Sequence, residues 1–149
     1  MTTIVGNSEK LVSDSRVTTV SFNNDVKVYL APKLYEKNGA IIGACGTNDA
    51  IEAFVKWYGS KKARPKFKIG EFEGLVLTAE GLYYFDETCA RDRVLNPWFS
   101  VGSGSHAALG ALHMGASLEE AVRVACKVDP ASGEPIQVLT LKKPDETNT

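Results

Sequence analysis

The part of the chain before Gly46 reads as nearly all strand, and that bias limits the fold more than any other feature of the sequence. Thr2–Val5 and Lys10–Ser15 are β-prone runs separated by Gly6-Asn7-Ser8, which is turn chemistry and predicts a tight antiparallel hairpin. Arg16–Phe22, rich in Val and Thr, continues extended to a turn at Asn23-Asn24-Asp25. Val26-Lys27-Val28-Tyr29-Leu30 alternates, and Gly39–Gly46 is a continuous apolar run of the kind that forms a buried strand.

Helices enter after Gly46. Thr47 or Asn48 can cap the first, Ile51, Phe54, Val55 and Tyr58 fall at helical spacing, and Gly59-Ser60 ends it. The basic stretch Lys61–Lys66 reads as a solvated connector. Gly74–Leu77 and Leu82–Phe85 form a strand pair around Ala79-Glu80-Gly81, and Trp98–Gly102 is a further strand. Ser103 or Ser105 can cap a second helix running from Ala107 to Met114. The capping box Ser117-Leu118-Glu119-Glu120 starts a third, Ala121–Val128, which stops at Asp129-Pro130. Pro135–Leu141 is the last strand, with a polar tail from Lys142. This order predicts an α+β fold of mostly antiparallel sheet covered by helices, in one domain spanning 1–149.

Composition excludes several functions. A formal net charge of −1 gives no basic field for nucleic acid and no acidic tail for a cationic partner. No apolar run approaches the ~18–20 residues that span a membrane, and Ser8-Glu9-Lys10 interrupts any signal-peptide core. Three cysteines, Cys45, Cys89 and Cys126, are odd in number and form no C-x-x-C, which points to reduced thiols in a cytoplasmic protein. His106 and His113 could share a helix face but lack H-E-x-x-H spacing, so neither a metal nor another cofactor is expected.

The start of the chain carries chemistry. Thr2 is small, so Met1 can be trimmed and Thr2 left with a free α-amine. One residue then holds a hydroxyl nucleophile and the base that takes its proton. An α-amine titrates at about 7.7–8.0, so it is substantially neutral near pH 8, and a nearby cation lowers it further.

Five stretches line up with that start: Thr2-Thr3-Ile4-Val5, Ser13-Asp14-Ser15-Arg16-Val17-Thr18, Val26-Lys27-Val28, Gly102-Ser103-Gly104-Ser105 and Asp129-Pro130-Ala131-Ser132-Gly133. In this order they resemble the proteasome β-subunit family of N-terminal-nucleophile hydrolases, including its bacterial relative, the HslV peptidase. The resemblance runs from Thr2 to Leu141. It implies a four-layer αββα sandwich and a threonine-type peptidase that hydrolyses peptide bonds through an acyl ester on Thr2.

The resemblance also implies a role for each matched residue. Thr2 is the nucleophile, Asp14 pairs with Lys27 beside it, Ser103 sits by the Thr2 amine, and Asp129 and Ser132 hold Ser103 and the N-terminus. Gly46 supplies an oxyanion-hole amide, and Ala44 and Asn48 flank the substrate pocket. Lys33 competes for the lysine role. Lys27 is preferred because its strand alternates as the family's lysine strand does and follows Arg16-Val17-Thr18 at a similar distance.

The chain departs from the family after its first helix, where only Gly59–Lys66 stands in place of a second helix of the same layer. One helical layer is therefore expected to be reduced, as in the short forms carried in phage and some bacterial genomes. The missing region is the one that builds rings and docks an unfolding ATPase, so an ATPase partner does not follow from the resemblance. A homo-oligomer acting on a peptide or unfolded protein does. Two alternatives stand beside this reading: an amidase or acylase using the same Thr2 chemistry on a small amide, and a catalytically silent structural or assembly homologue. A thiol enzyme using Cys45 or Cys89 has no suitably placed histidine.

Overall fold

The computed structural model describes residues 2–142, so the removal of Met1 and the polar end from residue 143 onward lie outside it. Its strands are β1 Thr3–Asn7, β2 Lys10–Ser13, β3 Arg16–Val20, β4 Val26–Leu30, β5 Leu34–Lys37, β6 Ala40–Gly46, β7 Phe72–Thr78, β8 Gly81–Phe85, β9 Arg91–Arg93, β10 Trp98–Gly102 and β11 Gln137–Thr140. Its helices are α1 Asn48–Trp57, α2 Ser105–His113 and α3 Leu118–Val128. One sheet has the order β10-β1-β2-β11, a second has the order β5-β6-β7-β8-β9, and among the described residues β3 and β4 pair only with each other. Every pairing is antiparallel.

The period-2 alternation of side chains sorts the apolar residues into three cores. Ile4 and Leu11 of the first sheet meet Ile41, Leu75 and Leu77 of the second. The next residues along the first sheet, Val5 and Val12, face the other way onto Ala108, Leu112, Val122 and Ala125 of α2 and α3. Ile42 and Val76 of the second sheet likewise turn outward to Ala50 and Phe54 of α1. Phe54 is fully buried and stacks at 4.6 Å on Phe72 and at 5.1 Å, edge-on, on Phe85. The two sheets thus share one core, and each has a helical core on its other face. Among the described residues no helix is long and apolar enough to cross a membrane.

Local chemistry fixes the ends of these elements. Thr47 Oγ1 accepts the Ala50 N–H at 3.2 Å and caps α1, and Ser117 Oγ accepts the Glu120 N–H at 3.1 Å and caps α3. The first hairpin turns at Ser8-Glu9, one step later than the sequence implies. Asn7 Oδ1 accepts the N–H groups of Glu9 and Lys10 at 2.8 and 2.9 Å, so Gly6 stays in β1 opposite Leu11. The N-cap of α2 is Gly104 with no side-chain bond, because Ser103 turns its hydroxyl elsewhere. β5 and β9 were not legible: β5 lies in the stretch between Ala31 and Asn38, and β9 is the charged tripeptide Arg91-Asp92-Arg93.

The β3–β4 hairpin differs from the rest. Val20, Val26, Val28 and Leu30 lie on one face and are 63%, 65%, 58% and 60% exposed, with Phe22 at the turn 95% exposed. Lys27 lies on the opposite face, across from Thr19.

Candidate active site

Thr2 lies immediately before β1, 6% exposed, at the wall of a cleft of about 610 Å³. The cleft opens where the two sheets part. Gly102 and Ser103 come to it from the first sheet, and Cys45, Gly46, Phe72, Glu73 and Tyr84 from the second; Thr47, Gly70 and Glu87 complete the lining. Two glycines are required by contact. Gly102 has φ +98°, and a Cβ there would sit 1.9 Å from the Thr2 carbonyl oxygen. Gly46, at the end of β6, has φ +135°, and a Cβ would sit 1.9 Å from the Glu71 carbonyl oxygen. The Gly46 backbone therefore forms cleft wall with no side chain in the way.

Behind Thr2 lies a buried ion pair. Asp14 accepts Lys33 Nζ at 2.9 Å, with side-chain exposures of 0% and 6%. The same oxygen, Oδ1, accepts the Thr3 N–H at 3.0 Å, while Oδ2 accepts the N–H groups of Gly133 at 3.0 Å and Arg16 at 3.2 Å. Four donors saturate the carboxylate, which is what a buried charge requires. Lys33 Nζ also donates to the Arg16 carbonyl. The Gln137 side chain fixes the segment around it, accepting the Lys33 N–H at 3.0 Å and donating to the Ala31 carbonyl at 2.7 Å.

Asp14 thus pairs with Lys33 and not with Lys27. Lys27 is exposed on a hairpin that projects from the sheets, whereas Pro32-Lys33 leads the chain back between the sheets into β5. The alternation around Lys27 marked a strand correctly but said nothing of which face is buried. Lys33 stands just before β5, and its burial is set by contacts remote in sequence, to Asp14 and to the Arg16 carbonyl.

A chain of hydroxyls closes the other side. Ser103 Oγ and Ser132 Oγ both donate to Asp129 Oδ2, at 2.6 and 2.7 Å. Ser132 Oγ lies 2.7 Å from Thr3 Oγ1; with its own proton on Asp129, it accepts that of Thr3. Ser103 Oγ is also 3.5 Å from the Thr2 carbonyl oxygen. Burial alone would raise Asp129, but the Ser103 and Ser132 hydroxyls and the Ala131 N–H outweigh it and hold its carboxyl below the usual range. Thr2, Ser103, Asp129 and Ser132, chosen from separate stretches of sequence, are in this way brought to one place. Thr3 belongs with them and was missed.

The pocket residues divide. Ala44 is 1% exposed and packs beneath α1, because alternation along β6 sends Cys45 to the cleft and Ala44 to the opposite face. Ala44 therefore does not flank the cleft. Asn48 opens α1 and lines a separate hollow of about 360 Å³ with Tyr35, Ile51, Glu52, Val55 and Lys56. Cys45 does reach the cleft, but burial, and then the charge of Glu73, push its thiol up to about 12, so it holds no useful thiolate near neutral pH. Among the described residues no group of His, Cys, Asp and Glu is placed to hold a metal.

The fold is that of HslV and related solved structures. Eukaryotic HslV from Trypanosoma brucei superposes with a TM-score of 0.65 at 17% identity, covering 95% of this chain and 99% of that one. Thiobacillus denitrificans BPH matches at TM-score 0.65 and 15% identity, over 95% of this chain and 98% of that one. The same protein in complex with epoxomicin matches at TM-score 0.65 and 15% identity, over 95% and 99%. No protein-family model matches the sequence, and no curated protein does.

Proposed function

We propose that the chain is a threonine-type peptidase of the N-terminal-nucleophile kind, acting through Thr2 once Met1 is removed. The observation that carries this reading is the shared oxygen of Asp14. Asp14 Oδ1 accepts both the Thr3 N–H and the Lys33 ammonium, so a buried cation stands one residue from a threonine in a cleft wall. Thr2 Oγ1 attacks the scissile carbonyl and passes its proton to the Thr2 α-amine. The Lys33 charge disfavours a second cation and keeps that amine available as base. The Gly46 N–H holds the oxyanion, a contribution worth about 10²–10³ in rate. The C–N bond breaks as the amine returns the proton to the leaving nitrogen, which leaves an acyl ester on Thr2. Water, deprotonated by the same amine, attacks the ester; the acyl C–O bond to Thr2 breaks, the amine returns the proton to Thr2 Oγ1, and the peptide leaves as an acid that ionises in solvent. Ser103, held by Asp129, relays protons beside the amine, and Ser132 keeps Asp129 and Thr3 in place.

The helical cores on the outer faces of the two sheets support a four-layer αββα sandwich with one layer reduced to α1. The free thiols Cys45, Cys89 and Cys126 suit the cytoplasm. The exposed apolar face of the β3–β4 hairpin suits a homo-oligomer.

Intact mass before and after incubation with epoxomicin tests the catalytic reading, because an epoxyketone needs a free hydroxyl and a free α-amine on one residue. The expected result is a chain that starts at Thr2 and gains one adduct, lost in Thr2→Ala. A mass that retains Met1 and gains nothing would instead support the silent structural homologue. An adduct without peptide cleavage, but with turnover of small amides, would support the amidase.

A further inference from the structure

The candidate nucleophile and the candidate oxyanion amide stand on different sheets: Thr2 leads into β1, and Gly46 ends β6. Their separation must fit one carbonyl group, and packed apolar side chains alone fix such a distance loosely. Glu73 lies at that junction. It belongs to β7, and the alternation that sends Phe72 toward α1 and Leu75 into the inter-sheet core puts Glu73 on the inter-sheet face, where a carboxylate is costly unless hydrogen-bonded. Its two oxygens are each engaged. Oε2 accepts the Tyr84 hydroxyl at 2.9 Å, from the neighbouring strand of its own sheet. Oε1 accepts the Gly102 N–H at 2.8 Å, from the other sheet. β10 is an edge strand, so the outer side of Gly102 has no strand partner, and Glu73 supplies the acceptor. Gly102 in turn pairs with Thr3 and lies against the Thr2 carbonyl. Cys45, next to Gly46, directs its thiol to the Glu73 carbonyl at 3.4 Å.

We infer that Glu73 is a positioning residue, setting the spacing of Thr2 and Ser103 against Gly46 by tying the end of β10 to the second sheet. This rests on the peptidase reading of Thr2. Its loss should affect the reacting geometry more than substrate binding, because a misplacement of about 1 Å can cost on the order of 10² in rate.

The test compares the wild-type chain with Glu73→Ala and Glu73→Gln. Glu73→Ala is expected to lower kcat and the rate of epoxomicin modification about 10²-fold with little change in KM. Glu73→Gln keeps an oxygen for the Gly102 N–H and should recover most of that loss. In parallel, hydrogen exchange at the Gly102 amide should speed up in Glu73→Ala and stay slow in Glu73→Gln. If Glu73→Ala does not fold, Tyr84→Phe, which frees the other end of the carboxylate, should slow modification about tenfold. An alanine variant that reacts at the wild-type rate, or one that loses only KM with Gly102 still protected, overturns the inference, as does an unchanged rate in Tyr84→Phe. If the wild-type chain takes no epoxomicin, the Thr2 reading falls and the Glu73 inference is decided separately. Faster Gly102 exchange with shifted Gly46 and Thr2 resonances in Glu73→Ala would uphold it, and unchanged signals would overturn it.

Discussion

Lys27 on β4 and Lys33 in the connection to β5 are the same residue type, yet the structure gives them opposite environments. Lys33 is 5% exposed with its ammonium on Asp14 and the Arg16 carbonyl, and Lys27 is exposed on the hairpin. Removing one partner of a buried pair leaves the other charge uncompensated and costs about 3–5 kcal/mol. Lys33→Ala should therefore lower urea-unfolding stability by that order and abolish epoxomicin modification, whereas Lys27→Ala should stay within about 0.5 kcal/mol of wild type and react normally. The reverse pattern would return the catalytic lysine to β4. Thr2, Asp14, Ser103, Asp129 and Ser132 were reached from sequence through the five ordered stretches and their resemblance to a known family, not through their local structure. The choice of Lys33 over Lys27, and Glu73 altogether, could not be reached that way, because both depend on contacts between segments remote in sequence. Glu73 in particular reads as an ordinary polar residue of an alternating strand until Gly102 is placed across from it.

Among the elements, the turn after α3 does most to assemble the site. The helix ends at Asp129, whose N–H bonds the Ala125 carbonyl, and the turn returns the Asp129 carboxylate to Ser103 and Ser132. Those donors hold the Asp129 pKa below its ordinary value. A carboxyl depressed by folding contributes stability that is complete above its unfolded pKa, about 3.9, and is lost as pH falls through the lower folded value. Wild type should thus melt higher than Asp129→Asn at neutral pH, and the difference should shrink as the melts are carried below about pH 4. A gap that stays constant with pH would mean that the carboxylate charge is not what holds the two hydroxyls. The capping box of α3 and the Thr47 cap of α1 were legible because their chemistry is local. β9 was not, since its three charged or polar residues extend only by pairing with Tyr83, Tyr84 and Phe85 of β8.

On the scale of the whole molecule, the β3–β4 hairpin is the part least accounted for by the chain's own packing. A lone two-stranded hairpin is marginal in water, and this one turns Val20, Val26, Val28 and Leu30 to solvent on one face with Phe22 at its tip. Both of its strands are also edges, pairing among the described residues with each other alone. An apolar patch with open edges gains most by meeting another surface, and a second copy of the same chain is always available at the protein's own concentration. The wild-type chain should therefore sediment as an assembly larger than a monomer. Val28→Lys combined with Phe22→Ser, which places charge and polarity on that face without touching either sheet core, should shift it toward monomer and leave the fold intact by circular dichroism. The same variant separates site from assembly. Thr2, Lys33 and Ser103 all lie outside the hairpin, so a monomer that still takes up epoxomicin would show that each copy carries a complete site. A monomer that no longer does would mean that a neighbouring copy orders the cleft. If the wild-type chain already sediments as a monomer at micromolar concentration, the homo-oligomer is wrong, and the exposed face must be explained by some other partner.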